Sequence, residues 1–388
     1  MQYRINHKSG EELSALGFGC LRFHKVEAEV ERQIRYAIAQ GVNFFDTAYI
    51  YKGSEATLGR ILAKDGLREK VNICTKLPYY MVKKAEDIDR LFNTQLERLQ
   101  TDYVDYYLIH MLPGLQSWEW LCKMGIREWI ADKKAAGKIR QFGFSFPGPA
   151  DEFTALIDAG VDLWDVCLIQ YNYYDENHQA GRQGLLYAVE RGVGVMIMEP
   201  LRGGTLVDKL PPEAKAMFDA APGKRTAADW GLRWVLDHPQ VFTVLSGMGT
   251  MEMVEENVRI ASEVTPGQLT EEDFALYAQV KAAIQAATKV TCTGCAYCVP
   301  CPQGVDIPLC FGCLNNNALM GRLRSMWWYV ATTEGRNASL CNRCGKCEPL
   351  CPQGIPIREK VGQTARELER FPYRVLRLAA RRMLRNRK

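Results

Sequence analysis

No apolar run in this chain reaches the roughly 18 residues that cross a bilayer. The first residues, Met1-Gln2-Tyr3-Arg4-Ile5-Asn6-His7-Lys8, lack the apolar core of a secretory leader. A cytoplasmic location is the expectation from both. The polar bias of a disordered chain is also missing: 47% of residues are apolar and 24% charged, enough to build packed cores. A length of 388 residues favours more than one such core. Net charge is only +4, and nucleic acid is not expected as a partner, although a basic tail by itself would admit nucleic acid, an acidic membrane or an acidic protein. That small total hides a division, since residues 289–388 carry +11 and residues 1–288 carry −7.

Cysteine explains much of the division. Of 14 cysteines, ten fall between 292 and 351. Clustering of this kind in a cytosolic chain reads as metal ligation rather than disulfides. Cys20, Cys74, Cys122 and Cys167 are scattered and read as small buried hydrophobes. The first run is Cys292-x2-Cys295-x2-Cys298-x2-Cys301-Pro302, and the second is Cys341-x2-Cys344-x2-Cys347-x3-Cys351-Pro352. The second matches the bacterial ferredoxin run, and the first is one residue short before its last cysteine. Two intervening residues let a tight loop wrap three thiolates around one face of a cubane. The proline then turns the chain away, so that the fourth thiolate reaches a second cluster. On that pattern Cys292, Cys295, Cys298 and Cys351 hold one [4Fe-4S] cluster, and Cys341, Cys344, Cys347 and Cys301 hold the other. Zinc is the competing reading, but zinc sites seldom use four cysteines in one short run, closed by proline, twice over. Cys310-x2-Cys313 reads as part of a buried turn, with ligation as the alternative.

An internal repeat accompanies the runs: Cys301-Pro302-Gln303-Gly304-Val305-Asp306-Ile307 recurs as Cys351-Pro352-Gln353-Gly354-Ile355-Pro356-Ile357. Nearby Arg and Lys would offset the negative charge of two thiolate-ligated clusters. Arg374, Arg377, Arg381, Arg382 and Arg385 are interleaved with Val375, Leu376, Leu378 and Met383, the pattern of a basic amphipathic helix. A solvated helix end is the plain reading of this tail. Docking to an acidic redox partner or peripheral contact with a membrane surface is the functional one.

Before residue 289 the pattern changes. Eight short strand-like runs alternate with helical stretches: Leu16–Gly19, Asn43–Asp46, Val71–Lys76, Val104–His110, Gln141–Ser145, Val166–Gln170, Val193–Met198 and Phe242–Ser246. Glu27–Gln40 and Ala85–Leu99 place apolar residues at helical spacing. Eight such units in under 300 residues fit a closed (β/α)8 TIM barrel. Residues 2–15 are expected to form a hairpin across its bottom. The predicted organisation is a barrel over 1–288, a small, mainly helical ferredoxin-like iron–sulfur domain over 289–372, and a basic tail over 373–388.

Asp46, Tyr51, Lys76 and His110 lie at or just beyond the ends of consecutive strands, where a (β/α)8 barrel places its chemistry. Taken singly, each has a plain reading as a capping, surface or hydrogen-bonded side chain. Together with Asp46-Thr47-Ala48-x2-Tyr51, Gly53-Ser54-Glu55-x3-Gly59, Thr75-Lys76 and Leu108-Ile109-His110, they make residues 1–288 resemble the aldo-keto reductase family. The whole chain resembles the subgroup with a ferredoxin-like C-terminal domain. The resemblance implies a catalytic tetrad of Asp46, Tyr51, Lys76 and His110, with Tyr51 as general acid. An isolated tyrosine, with a pKa near 10, is a poor acid at neutral pH, and a neighbouring Lys76 ammonium would lower that value. Asp46 would hold Lys76 charged, and His110 would orient the substrate carbonyl.

The resemblance also implies a nicotinamide cofactor, NADPH or NADH. Ser145 and Gln170 match positions that hold its carboxamide, although Phe146 stands where Asn usually follows that Ser. Glu199-Pro200-Leu201 stands where an aromatic commonly stacks on the ring. Ser246-Gly247-Met248-Gly249-Thr250 matches the phosphate loop, followed by Glu256-Asn257. That loop lacks the basic residues that clamp a 2′-phosphate; the first after Ser246 is Arg259. Phe23, His24, Tyr49, Met111, Leu112, Trp118 and Trp120 are candidates to line a pocket for an apolar carbonyl substrate.

Three functions are compatible with this pattern. One is nicotinamide-dependent carbonyl reduction, with structural or redox-sensing clusters. Another is an electron-transfer oxidoreductase whose clusters exchange electrons with a redox cofactor or an external ferredoxin. A non-catalytic sensor or accessory subunit is the third, and the intact tetrad argues against it. No motif specifies a flavin, and nothing in the pattern specifies an oligomeric state.

Overall fold

The computed structural model describes residues 1–6, 8–320, 322–373 and 375–377. Ten strands are present among the described residues: β1 (Tyr3–Ile5), β2 (Glu12–Ser14), β3 (Leu16–Gly19), β4 (Phe44–Asp46), β5 (Asn72–Leu77), β6 (Val104–Ile109), β7 (Ile139–Phe146), β8 (Val166–Gln170), β9 (Gly194–Met198) and β10 (Val241–Ser246). Strands β3 to β10 pair in parallel in chain order, and β10 closes on β3 through Ser246 opposite Phe18. These are the eight strands expected from the sequence, and they form a closed (β/α)8 barrel.

Side chains alternate between the barrel interior and the surrounding helices. Phe44, Cys74, Tyr106, Leu108, Val166, Leu168, Met196 and Phe242 share one buried cluster, which Leu13 of the hairpin joins. Phe44 and Tyr106 meet edge-on at 5.1 Å between ring centres. Two residues beyond three of these side chains come Asp46, Lys76 and His110. The period of two therefore continues the inward-facing rows into polar groups at the C-terminal mouth.

Strands β1 and β2 form the expected antiparallel hairpin, with Gly10 in its turn at φ +73°. The hairpin lies against the opposite end of the barrel. Arg4 donates to the carbonyls of His238 and Val241, at 2.9 and 2.5 Å, and Asn6 Nδ2 donates to that of Asp165. Burial lowers the Arg4 guanidinium to about 10.

Helices Glu27–Ala39 and Glu86–Leu99 match the expected runs. The second buries Ile88, Leu91, Phe92, Leu96 and Leu99, one apolar stripe, each contributing about 1.5–3 kcal/mol. Its last turn touches helix Ser54–Leu62 at Gly59, where a Cβ would lie 2.5 Å from Arg98 O. That close approach accounts for the glycine of the Gly53-to-Gly59 motif.

By packing, the chain divides into two units: Met1–Arg202 with Pro222–Phe274, and Gly203–Ala221 with the chain from Ala275 on. The second unit contains helices Ile307–Met320, Arg322–Thr333 and Ile357–Leu368. Val305 and Ile307 from one copy of the sequence repeat, and Ile355 and Ile357 from the other, enter one core with Phe311, Leu314, Met326 and Tyr329. Gly304 N bonds Cys301 O at 2.8 Å and Gly354 N bonds Cys351 O at 3.1 Å, so the repeat is a repeat of backbone as well. Cys310 and Cys313 face this core from their helix, fully buried against Tyr329 and Thr332. They lie in a helix rather than a turn and line neither cysteine cavity described below.

No helix among the described residues is long and apolar enough to cross a membrane. Of the basic tail expected over 373–388, only 373 and 375–377 are described, so Arg374, Arg381, Arg382 and Arg385 lie outside the described residues. Arg377 bonds Glu334, with Nε 3.0 Å from Oε2.

Candidate functional sites

Asp46 is the last residue of β4, Lys76 the next-to-last of β5, and His110 follows β6 directly. The Lys76 ammonium lies 2.5 Å from Asp46 Oδ1 and donates to Thr47 O at 2.7 Å. Lys76 is 1% exposed, so this is a fully buried ion pair whose partner and carbonyl satisfy the charge. Tyr51 comes from the loop after β4. Its ring centre lies 5.2 Å from Lys76 Nζ and 5.9 Å from the His110 ring, which it meets edge-on. All four tetrad residues predicted from sequence thus gather at one place. Burial, then the neighbouring Lys76 ammonium, holds the His110 imidazole well below its ordinary range, so it stays neutral.

Behind Lys76 lies a buried network that sequence reasoning missed. Glu55 Oε1 accepts from Thr75 Oγ1 and from Gln95 Nε2, at 2.7 and 2.8 Å, and Glu55 Oε2 accepts from Arg98. Gln95 also donates to Lys76 O. Glu55 belonged to the recognised motif, but its partners come from β5 and from the helix Glu86–Leu99, 20 to 43 residues on.

Of the expected nucleotide-binding residues, Ser145, Gln170 and Ser246 lie at the C-terminal ends of β7, β8 and β10, and Glu256 and Asn257 lie on helix Met251–Glu263. Ser145 Oγ accepts from Met111 N at 2.7 Å, and Asn257 Nδ2 donates to Ser246 Oγ at 3.0 Å. Met248 is buried beside Gly247 and Gly249. Thr250 caps helix Met251–Glu263 through Met253 N, giving a helix N-terminus of the kind that receives phosphate. Glu256 accepts from Thr226 at 2.5 Å. Gln170 donates to Asp175 at 2.7 Å, and Asp175 also accepts from Arg202 Nε at 2.7 Å. This second buried pair was not anticipated; its members are separated by a whole strand and helix. Phe146 packs against Phe144 and Phe153 and is fully buried. Met111 and Glu199, just past the ends of β6 and β9, adopt φ of +55° and +58°. Such backbone costs on the order of 1–3 kcal/mol in a non-glycine residue and clusters at functional sites. Of the expected pocket residues, Trp118 is core, 4.5 Å from Trp164, and Leu112 is fully buried.

The second unit holds two cavities walled by cysteine. Cys292, Cys295, Cys298 and Cys351 line one, together with Thr293, Phe311, Ile307 and Ile357. Cys341, Cys344, Cys347 and Cys301 line the other, of about 210 Å³, which Cys298 also borders. Burial, then the neighbouring thiols of Cys292, Cys295 and Cys351, push the Cys298 thiol up to about 12. Burial raises Cys347, with Cys341 and Cys301 among the neighbours that add to it. The two loops share a backbone: φ is positive at Gly294 and Ala296 in one, and at the equivalent Arg343 and Gly345 in the other. Gly294 N points at Cys292 Sγ and Arg343 N at Cys341 Sγ, each at 3.4 Å.

The donor sets of these cavities suit iron–sulfur clusters. Four soft sulfur donors surround each one, and backbone N–H groups point at sulfur. Thr293 is 3% exposed, its hydroxyl has no hydrogen-bond partner within the protein, and it lines the first cavity, where a cluster sulfur would accept its proton. Among the described residues, no three or more His, Cys, Asp or Glu side chains close in as around a single metal ion.

Comparison with known proteins agrees with both halves. The model of the aldo/keto reductase family matches residues 15–282, and that of a 4Fe-4S dicluster domain matches residues 291–356. Among similar proteins, L-galactose dehydrogenase of Arabidopsis thaliana is 29% identical over 287 residues, spanning 68% of this chain and 89% of its own. An aldo-keto reductase of Mycolicibacterium vanbaalenii is 32% identical over 274 residues, spanning 68% and 88%. Among solved structures, the holo form of an aldo-keto reductase from Bacillus halodurans superposes with a TM-score of 0.60 at 26% identity, covering 72% of this chain and 96% of that one. An aldo-keto reductase from Klebsiella pneumoniae, in complex with NADPH, shares the fold with a TM-score of 0.59 at 24% identity and the same coverage.

Proposed function

From the premise that this chain belongs to the aldo/keto reductase family and carries a 4Fe-4S domain, we propose that it is a nicotinamide-dependent oxidoreductase of small carbonyl compounds, with Tyr51 as general acid. The observation that carries this reading is the buried Lys76–Asp46 pair beside the Tyr51 ring. Asp46 keeps Lys76 charged, and Lys76 favours the phenolate of Tyr51. The Tyr51 hydroxyl then gives its proton to the carbonyl oxygen. His110, neutral, donates a hydrogen bond to that oxygen and stabilises the charge growing there. A nicotinamide bound at the mouth supplies the hydride. Ser145 and Gln170 would hold its carboxamide, and Ser246, Gly247, Met248, Gly249, Glu256 and Asn257 its phosphates and nucleoside. The test is oxidation of NADPH and NADH against a panel of aldehydes and ketones, with anaerobically purified protein. Turnover that survives in Tyr51→Phe would refute the mechanism.

The functional boundary proposed from the sequence, at 288/289, separates this barrel chemistry from the cysteine loops. Two [4Fe-4S] clusters would be held by the crossed sets Cys292/Cys295/Cys298/Cys351 and Cys341/Cys344/Cys347/Cys301. When bound, such clusters supply single electrons. A second reading, in which they exchange electrons with an external carrier, is favoured by one observation: Cys344 is solvent-exposed.

A further inference from the structure

The two cysteine loops share a backbone but not a charge. Between Cys292 and Cys301 there is no charged residue, whereas Arg343, Lys346 and Glu348 lie between Cys341 and Cys351. The surroundings repeat the difference. Lys346 and Arg358 line the cavity of the second loop, and no charged residue lines that of the first. Glu348 is taken up by Arg358, whose Nε lies 2.7 Å from Oε2, and this leaves the charges of Arg343 and Lys346 to set the sign of the surface. Both are exposed. Arg343 holds φ +61° where the first loop has Gly294, so a charged side chain is kept at a position that favours glycine. Of the eight cysteines, Cys344 alone is exposed, and Leu350, which lines the same cavity, is 48% exposed.

We propose that this face, with Cys344 and Leu350 at its centre and Arg343 and Lys346 beside them, is the docking surface of an acidic one-electron carrier protein. The inference rests on the reading that the clusters exchange electrons, and it names the port and the partner's chemistry. Electron tunnelling falls steeply with distance, so the cluster with the exposed ligand is the one a carrier approaches. A basic rim around a small apolar centre steers an acidic protein into that approach and rejects basic ones. A lipid surface or nucleic acid would be attracted by the same charges but carries no electron, and neither explains why the charges follow the exposed thiolate rather than its twin. In the step itself, the reduced carrier loses one electron and the cluster core gains it. No bond forms or breaks and no proton moves. With an oxidised carrier the same step runs backwards.

The test uses the full-length protein, purified anaerobically with its clusters, and Arg343→Glu/Lys346→Glu. A strongly acidic bacterial ferredoxin, chemically reduced, is mixed with each in stopped flow, and cluster bleaching is followed. Binding of the same ferredoxin is measured by calorimetry, and reduced methyl viologen, a small cation, serves as the control donor. At low ionic strength the variant should be reduced by ferredoxin at least ~10-fold more slowly and bind it correspondingly less tightly. The difference should close as salt rises. Reduction by viologen should not slow, because the variant no longer repels it. Equal ferredoxin rates for both proteins at every salt concentration would overturn the docking surface while leaving electron exchange standing. Failure of ferredoxin to reduce even the wild-type clusters, with viologen succeeding, would instead overturn the electron-exchange reading. Residue-dependent binding to phosphatidylglycerol vesicles in place of ferredoxin would assign the face to lipid and overturn the proposal. Should the reversal variant lose iron, Arg343→Gln/Lys346→Gln is read in the same way, with a smaller effect expected.

Discussion

The ammonium of Lys76 lies 2.5 Å from Asp46 Oδ1 and 5.2 Å from the centre of the Tyr51 ring, so one buried charge is shared between a carboxylate and a phenol. Removing the carboxylate leaves the buried ammonium without its counter-charge. Asp46→Ala should therefore cost about 3–5 kcal/mol of stability, the range for stripping one partner from a buried pair. Asp46→Asn/Lys76→Met should recover most of that stability and none of the activity. Chemical denaturation checks the first statement and steady-state turnover the second. A double variant as unstable as Asp46→Ala would show that packing, not the charge, dominates.

Tyr51→Phe removes only a hydroxyl from the same group. The barrel should remain folded, with an unchanged melting temperature, while turnover falls at least 10²-fold, within the usual contribution of a general acid. Lys76→Met should match it in turnover, because Tyr51 then regains an ordinary phenol's acidity.

His110 provides a dependence on pH. Its folded-state pKa lies well below the 6.5 of an ordinary histidine, chiefly through burial. The unfolded chain therefore takes up a proton at His110 before the folded protein does. Stability contributed by this group is complete above the unfolded value and is lost as pH falls below it. Denaturation midpoints measured from pH 8 down to pH 5 should fall, and His110→Gln should flatten part of that slope. His178 and His238 are shifted in the same direction by burial, so the comparison with wild type is what isolates His110. Turnover should show no inflection from His110 between pH 6 and 8.

The phosphate loop sets the choice of nucleotide. Arg259, the first basic residue after Ser246, is committed to Asp229 and Glu263 and supplies no clamp. A Cβ on Gly249 would lie 3.8 Å from Arg22 O, so the backbone of Arg22, just after β3, passes beside the loop. Any preference for NADPH over NADH should stay below ~10³-fold, about 4 kcal/mol, and Arg22→Ala should abolish it. Titration of both nucleotides against both proteins decides the matter. A larger preference that survives in Arg22→Ala would place the clamp elsewhere.

Arg22 also illustrates what the sequence does not disclose. The eight barrel strands were legible because a strand's period of two and its β-branched and aromatic content are local properties, and the tetrad was legible because its members sit at strand ends. The Glu55–Gln95–Thr75 network and the Asp175–Arg202 pair were not, because each forms between residues that only the packing of neighbouring strand–helix units brings together. The same holds for Gly203–Ala221, which packs with the second unit although it lies between two barrel strands in sequence. Cys310 and Cys313 show the converse: their spacing suits a ligand pair, but an interval of three on a helix also turns both toward a core.

The distribution of ligands between the two clusters can be decided by pairing substitutions. If each cysteine run served its own cluster, Cys344→Ser/Cys351→Ser would damage one cluster and spare the other. In the crossed arrangement Cys351 faces the cavity of Cys292, Cys295 and Cys298, while Cys344 lines the other cavity, so the same variant should damage both. Cys295→Ser/Cys351→Ser is the complement. Its two positions are 56 residues apart but line one cavity, and it should leave the cluster of Cys341, Cys344, Cys347 and Cys301 intact. Wild-type protein prepared without oxygen should hold about eight irons per chain, the complementary variant about half of that, and the same-run variant less still. Electron paramagnetic resonance of the reduced proteins gives an independent reading. The complementary variant should show a single uncoupled cluster, whereas two clusters sharing the border at Cys298 should broaden each other's signals in wild type. The reverse pattern of iron content would return each run to its own cluster. In that case Pro302 and Pro352 would only end their loops, without carrying the last cysteine across.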